Sequence, residues 1–188
     1  MISFTGSYLH ITDISKKMPK GPNKKEKLIF VELKPNSRDD NLLFAKLKEL
    51  WADEDTFIRE MDSNFIYKRR HHLEDGPENF YVLTTQKKKL NKMDASKVLA
   101  VAQTTKNKDN SVSVDYIQAL PKSIRMKSEE IYQSIGSVLM NSIKKEYPDR
   151  SLTAYSQSNN VGFYKGNGFE EVSKTEVGLS LMRFNPKK

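Results

Sequence analysis

At 188 residues, with a formal net charge of +8 and no cysteine, the chain has room for one ordinary domain and not for two; disulfides, thiolate metal sites and cysteine-linked covalent intermediates are excluded. Hydrophobic residues make up 37%, with nine Phe, eight Tyr and one Trp available for a core, and no apolar run approaches the ~20 residues that span a bilayer. The opening "MISFTGSYLHITDIS" lacks the basic-then-apolar pattern of a secretory signal, so the expectation is a cytoplasmic protein without membrane association.

In chain order, "SYLHITDI" alternates weakly and reads as a peripheral strand. The stretch "KKMPKGPNKKEK" at 16–27 offers almost nothing to bury and reads as a linker. Residues 1–27 are therefore expected as an N-terminal extension and linker ahead of a domain at 28–188. "KLIFVEL" at 27–33, ended by Pro35, is its first strand. Ser37 with Asp40 resembles a capping box, and Leu43, Leu47, Leu50 and Trp51 then recur at helical spacing. A second helix is predicted from about Asp55, with Phe57, Ile58, Met61 and Phe65 on one side. Gly76-Pro77 breaks the chain before the strand "NFYVLTT".

"KVLAVAQTT" is nearly all apolar at its centre, as a strand covered on both faces should be. "KNKDN" turns it back into "SVSVDYIQAL", making an antiparallel hairpin. Residues 128–147 carry Ile131, Ile135, Val138, Leu139, Ile143 and Tyr147 on one stripe, with Glu129 and Glu130 at the start and Lys144 and Lys145 at the end, the signs a helix dipole favours. Ser128 could cap an early start; the reading adopted is a separate turn at 128–132 and a main helix from about Ser134. "SLTAYSQ" is a strand, 158–165 a short helix, and "FEEV" and "VGLSLMRF" are closing strands. That order, strand, two helices, three strands, helix, strand, helix, two strands, is a mixed α/β sheet with helices on its faces.

Two pieces then combine. One is "IQALPKSIRMKSEEIYQSIGSVLMNSIKKEY", a strand, a polar loop and a long helix; the other is "NNVGFYKGNGFEEV" at 159–172, where Phe163-Tyr164 precedes a Gly168-Phe169 step. Together they resemble the GNAT superfamily of N-acetyltransferases over roughly residues 98–175, with a compatible element order over 28–188. The resemblance implies a mixed, mostly antiparallel central sheet of six to seven strands flanked by about four helices. It also implies acetyl-CoA as co-substrate, its pyrophosphate held by the loop before the long helix, and a tyrosine near its sulfur.

Carried over residue by residue, with Gly136 as the loop's final glycine, Ser134 takes the first glycine position and Ile131 the basic or amide position. An alternative register makes Gln133 and Gly136 the first two elements and Val138 the last. The implied cofactor-binding set is Gln133, Ser134, Ile135, Gly136 and Ser137, with backbone amides of about 132–137 as the cradle. Ile117 and Ala119 lend backbone groups to the pantetheine arm, and Asn160 stands near the family's asparagine. A helix N-terminus with unsatisfied N–H groups suits a diphosphate on physical grounds. Acyl transfer to an amine needs a base, oxyanion donors and an acid for the leaving thiolate. Tyr164 is the expected acid, with Gly166 and Gly168 turning the chain back behind it, and Asp115 the expected base.

His71 and His72 are adjacent and diverge, and His10 is remote, so no metal is assigned. The basic clusters at 16–27, 68–72 ("KRRHH") and 87–89 read as surface. The sharper reading of "KRRHH" is recruitment of RNA or an acidic acceptor, whereas Glu60, Asp62, Glu74 and Asp75 nearby suit a cationic amine. The expected reaction moves acetyl from acetyl-CoA to a primary amine by direct attack in a ternary complex. The acceptor stays open between a small molecule, a protein amine and an aminoacyl-tRNA. A non-catalytic nucleic-acid-binding module on the same fold stays open as well, as does homodimer formation.

Overall fold

The structure is a computed structural model that describes residues 7–17, 22–51, 57–73, 76–87, 92–121 and 131–186. In chain order its elements are β1 (Ser7–Lys17), β2 (Lys24–Leu33), α1 (Arg38–Trp51), α2 (Phe57–Arg70), β3 (Glu78–Thr84), β4 (Val98–Lys106), β5 (Val112–Ala119), β6 (Ile131–Tyr132), α3 (Ile135–Glu146), β7 (Leu152–Ser156), α4 (Val161–Gly166), β8 (Glu170–Lys174) and β9 (Ser180–Phe184). The strands form one nine-stranded sheet in the order β6-β1-β2-β3-β4-β5-β7-β9-β8. Every neighbouring pair is antiparallel except β5 with β7. The class is as expected, and the strand count is higher.

Two strands lie beyond the expected six to seven: β1, whose "SYLHITDI" reads as a peripheral strand, and β6. Residues 16–27, expected as a linker, contain the end of β1 and the start of β2, in register from Ser7↔Glu32 to Lys16↔Lys24. The expected domain start at residue 28 therefore falls inside β2. The lysines are tolerated because this end of the hairpin faces solvent, where Lys24, Lys25 and Lys27 are exposed. Ile131 and Tyr132, expected within a turn, form β6 against Lys16 and Lys17. The rest of that turn, 128–130, lies outside the described residues.

The first two helices are built as their spacing predicts. Ser37 Oγ accepts from the Asp40 N–H at 3.2 Å, which is half of a capping box. The other half is redirected, because Asp40 Oδ2 accepts from the Lys34 N–H at 2.8 Å. Leu43, Phe44, Leu47 and Trp51 of α1 and Ile58, Met61 and Phe65 of α2 are buried with Phe80, Val82 and Val101 on one face of the sheet. Leu50 is instead half exposed; Phe44 takes the core position. Phe65 stacks on Phe44 at 4.7 Å between centroids and meets Phe80 edge-on at 4.9 Å. The opposite face is covered by Leu139, Met140 and Ile143 of α3 and by Tyr164 of α4, over Phe30, Leu83, Ala100 and Val114. β4 runs between the two cores, buried along its first seven residues.

Under the end of α3 the Tyr147 hydroxyl meets Tyr81 Oη at 2.6 Å and Thr104 Oγ1 at 3.2 Å. This buried cluster gives the α3 C-terminus one seat, since its polar atoms are satisfied in that arrangement.

Candidate active site

β5 and β7 lie parallel, but they pair only at Val112↔Leu152 and Ser113↔Thr153. Beyond those positions they diverge, and the sheet opens into a wedge. On its other side β5 stays paired to β4, except that the register shifts between Gln103↔Tyr116 and Thr104↔Val114. Asp115 is the residue left over, a β-bulge of the kind that bends a strand and re-aims its side chain. Past the bulge the Leu120 N–H donates to Leu99 O at 2.7 Å. Antiparallel alternation then directs the N–H and C=O groups of Ile117 and Ala119 away from β4 and into the wedge.

The floor of the wedge is the start of α3. Ser134, its N-cap, sits in the left-handed region at φ 54° with no side-chain cap. The Val138 N–H is the first to bond back into the helix, to Ser134 O at 3.0 Å, so the amides of Ile135, Gly136 and Ser137 precede the helical ladder. The main helix thus begins at the expected place. Gln133 departs from its expected company: its N–H donates to Ser15 O at 3.0 Å, and its side chain is exposed outside the cleft. Gly136 is required by a neighbour, because a Cβ there would meet Phe163 Cε2 at 3.1 Å.

α4 brings Phe163 and Tyr164 to this floor. Asn167 Nδ2 donates to Ser137 Oγ at 3.2 Å and to Phe163 O at 2.8 Å, tying the end of α4 to the start of α3. Lys144 Nζ donates to Asn167 O and lies over the Phe184 ring at 4.2 Å. Of the two glycines expected to turn the chain, Gly168 alone has a positive φ, +76°; Gly166 is the last helical residue. The Phe169 N–H then donates to Tyr164 O at 3.0 Å, and the two rings meet edge-on at 5.5 Å.

The result is a cleft of about 510 Å³. Asp115, Ile117, Ala119, Ser134, Ile135, Gly136, Ser137, Asn160 and Tyr164 all line it. Tyr164 is 6% exposed. Burial pushes its phenol up to about 12, so it holds its proton throughout the physiological range. Among the described residues its hydroxyl has no hydrogen-bond partner. Asp115 is exposed as a residue and accepts from Thr105 Oγ1 at 2.6 Å. Crowding of its carboxylate by protein pushes it up to about 6, with Glu78 adding to the rise and Thr105 opposing it. Phe57, Tyr116, Tyr155, Ser156, Gln157 and Leu179 complete the lining. These were not anticipated: no motif marks them, although Phe57 and Tyr116, 5.6 Å apart, carry the aromatic signal that could have drawn attention.

The "KRRHH" stretch divides. Lys68 is 3% exposed, with Nζ donating to Glu78 O at 2.5 Å and Gly76 O at 3.3 Å, so it is not a surface cation. Arg70, His71 and His72 are exposed. Asp62 is buried against Lys48 at 2.6 Å. Glu74 and Asp75 lie outside the described residues. His10 packs on Phe30 at 4.9 Å, away from the cleft. Among the described residues no three His, Asp or Glu gather as metal ligands, and no helix is long and apolar enough to cross a membrane.

No family model and no curated protein matches the chain. Solved structures do. A protein of Desulfovibrio desulfuricans assigned to the GNAT acetyltransferases is 14% identical with a TM-score of 0.59, covering 84% of this chain and 98% of its own. The PaiA N-acetyltransferase of Thermoplasma acidophilum, in complex with coenzyme A, is 13% identical with a TM-score of 0.53, covering 84% and 98%. The N-acetyltransferase PseH of Campylobacter jejuni, in complex with acetyl coenzyme A, is 12% identical with a TM-score of 0.54, covering 84% and 99%. With its single mixed sheet, splayed β5 and β7 and four α-helices among the described residues, the chain has the GNAT acetyltransferase fold.

Proposed function

We propose that the protein is an acyl-CoA-dependent N-acetyltransferase that moves an acetyl group to a primary amine by direct attack within a ternary complex. One observation carries the reading: a single cleft holds the amides at the start of α3 and the edge of β5, neither paired among the described residues, together with the Tyr164 phenol. The amides of Ile135, Gly136 and Ser137, with Ser134 beside them, would hold the diphosphate of acetyl-CoA at the positive end of the α3 dipole. Ile117 and Ala119 would pair with the amide groups of its arm as an added strand does. Asn160, at the mouth of α4, would meet the same arm. The bound thioester supplies an activated acetyl group.

Asp115 would take the proton from the incoming ammonium, for which a carboxylate raised to about 6 is better suited than an ordinary one. Tyr164 would give its proton to the departing sulfur as the C–S bond breaks and the C–N bond forms. Its raised value keeps that proton available.

Thermal melts and thiol release test the reading. Coenzyme A at one hundred times its dissociation constant should stabilise the fold by about 2.7 kcal/mol, a rise of about 5–10 °C for a chain of this length. Acetyl-CoA with a panel of amines should release free thiol. Absence of both would sink the proposal, and nucleic-acid affinity that falls steeply with salt would then favour the binding-module reading.

A further inference from the structure

A second cavity, of about 280 Å³, opens beside the cleft on the α2 face of the sheet. Asp115 and Tyr116 line both spaces, so the bulge is the wall they share. Asn64, Tyr67 and Lys68 of α2, Glu78 of β3 and Gln103 of β4 line the second cavity as well.

The charged lining of this cavity is two carboxylates, Asp115 and Glu78, against one ammonium, Lys68. Among the described residues no cation pairs with Asp115. Glu78 contacts Lys68 Nζ at 3.4 Å, but that ammonium is turned inward onto two backbone carbonyls. Glu60 holds the Tyr116 hydroxyl, and that bond is the main reason the Tyr116 phenol is pushed up to about 12. Asp115 is raised in part by Glu78 itself. On a chain of net charge +8, this corner keeps one net negative charge, and it is lined by the rings of Tyr67, which also packs on His71 at 4.3 Å, and Tyr116, which also packs on Phe57 at 5.6 Å. An RNA-borne or acidic acceptor would meet repulsion here; a second ammonium would relieve it.

Resting on the acetyltransferase reading above, we infer that the acceptor is a linear diamine, its reacting nitrogen at Asp115 and its second ammonium in the cavity between Glu78 and the Tyr67 and Tyr116 rings. The same geometry admits the amine of a lysyl side chain only if a second cation follows it at similar reach.

Three acceptors of matched length separate the classes: 1,5-diaminopentane, pentylamine and 6-aminohexanoate. With acetyl-CoA, kcat/KM should be about tenfold or more higher for the diamine than for pentylamine, and lowest for the amino acid. Tyr67 is 57% exposed, so Tyr67→Lys sets a positive charge at the rim without disturbing the core. It should remove the diamine's advantage and leave pentylamine unchanged. Glu78→Gln should do the same; because it also deprives Lys68 of a partner, its melting temperature is measured alongside. Calorimetric titration of the diamine into the protein, with and without coenzyme A, gives a readout independent of turnover. Tighter binding of the diamine than of pentylamine, lost in Tyr67→Lys, supports the site. Equal binding of the two, equal turnover of all three amines, or a Tyr67→Lys effect on every amine alike overturns it. If coenzyme A binds and only the diamine preference is missing, this inference fails and the proposed function stands. If coenzyme A fails to bind, the proposed function falls, while the titration still decides the cavity.

Discussion

The two halves of the sheet obey different rules. From β1 to β5 each strand is hydrogen-bonded to its neighbours, and the apolar side chains of α1 and α2 pack a core on one face. From β5 to β7 the ladder stops after two positions. What is lost there is stability, since unpaired backbone groups and a polar cleft bury less apolar surface. What remains is a set of donors and acceptors with no partner among the described residues. The first half makes the second tolerable: pairing to β4 holds the bulged β5 in place without help from β7.

That contrast can be broken at either end. The largest effect should come from the closed half, where Phe65→Ala removes a ring packed between Phe44 and Phe80 and should cost about 3–5 kcal/mol in denaturant melts. Tyr164→Phe, in the open half, deletes a hydroxyl with no partner among the described residues. It should leave the melting temperature within about 1 °C of wild type while lowering kcat by about 10²-fold or more. A stability loss as large as that of Phe65→Ala would mean the phenol is structural. Gly136→Val should come next. Its side chain must displace Phe163 from a 3.1 Å approach, at about 1–3 kcal/mol for overpacking. Coenzyme A affinity should fall by about tenfold or more, read as lost thermal protection.

The smallest effect concerns pH. Asp115 must be ionised to accept a proton, so kcat/KM should fall about tenfold between pH 7 and pH 5 as its value of about 6 is crossed. In Asp115→Asn that dependence should flatten. Stability should move the other way. A carboxyl that is raised in the fold binds its proton there before it does in the unfolded chain, so its contribution to stability rises as pH falls from 7 through about 6 toward its ordinary range. Asp40, also raised to about 6 by burial, adds to that trend from the closed half. Activity and stability drifting in the same direction would remove Asp115 as the base.

Much of this was written in local patterns. Helical spacing in 43–65, the apolar run in β4 and the Phe-Tyr pair ahead of a glycine turn each depend on residues close in sequence. The parts that escaped depend on distant partners. β6 is a strand because it finds an edge more than a hundred residues away. Lys68 is buried because carbonyls of Gly76 and Glu78 fold over it. The bulge at Asp115 carries no glycine or proline to announce it, and the left-handed turn at Ser134 is taken by a residue that gives no warning. The aromatic and acidic walls of the second cavity come from three separate segments.

The two-residue rung that joins Ile131 and Tyr132 to the sheet has a kinetic corollary. It lies at the outermost margin, and its partner belongs to the opening of the chain, so it is the contact that loop closure makes hardest to establish and fraying makes easiest to lose. Amide exchange at Gln133, whose bond to Ser15 extends that rung, should therefore run ahead of exchange in β4 by orders of magnitude. The mooring of the α3 start would then come loose and reattach many times while the interior never opens.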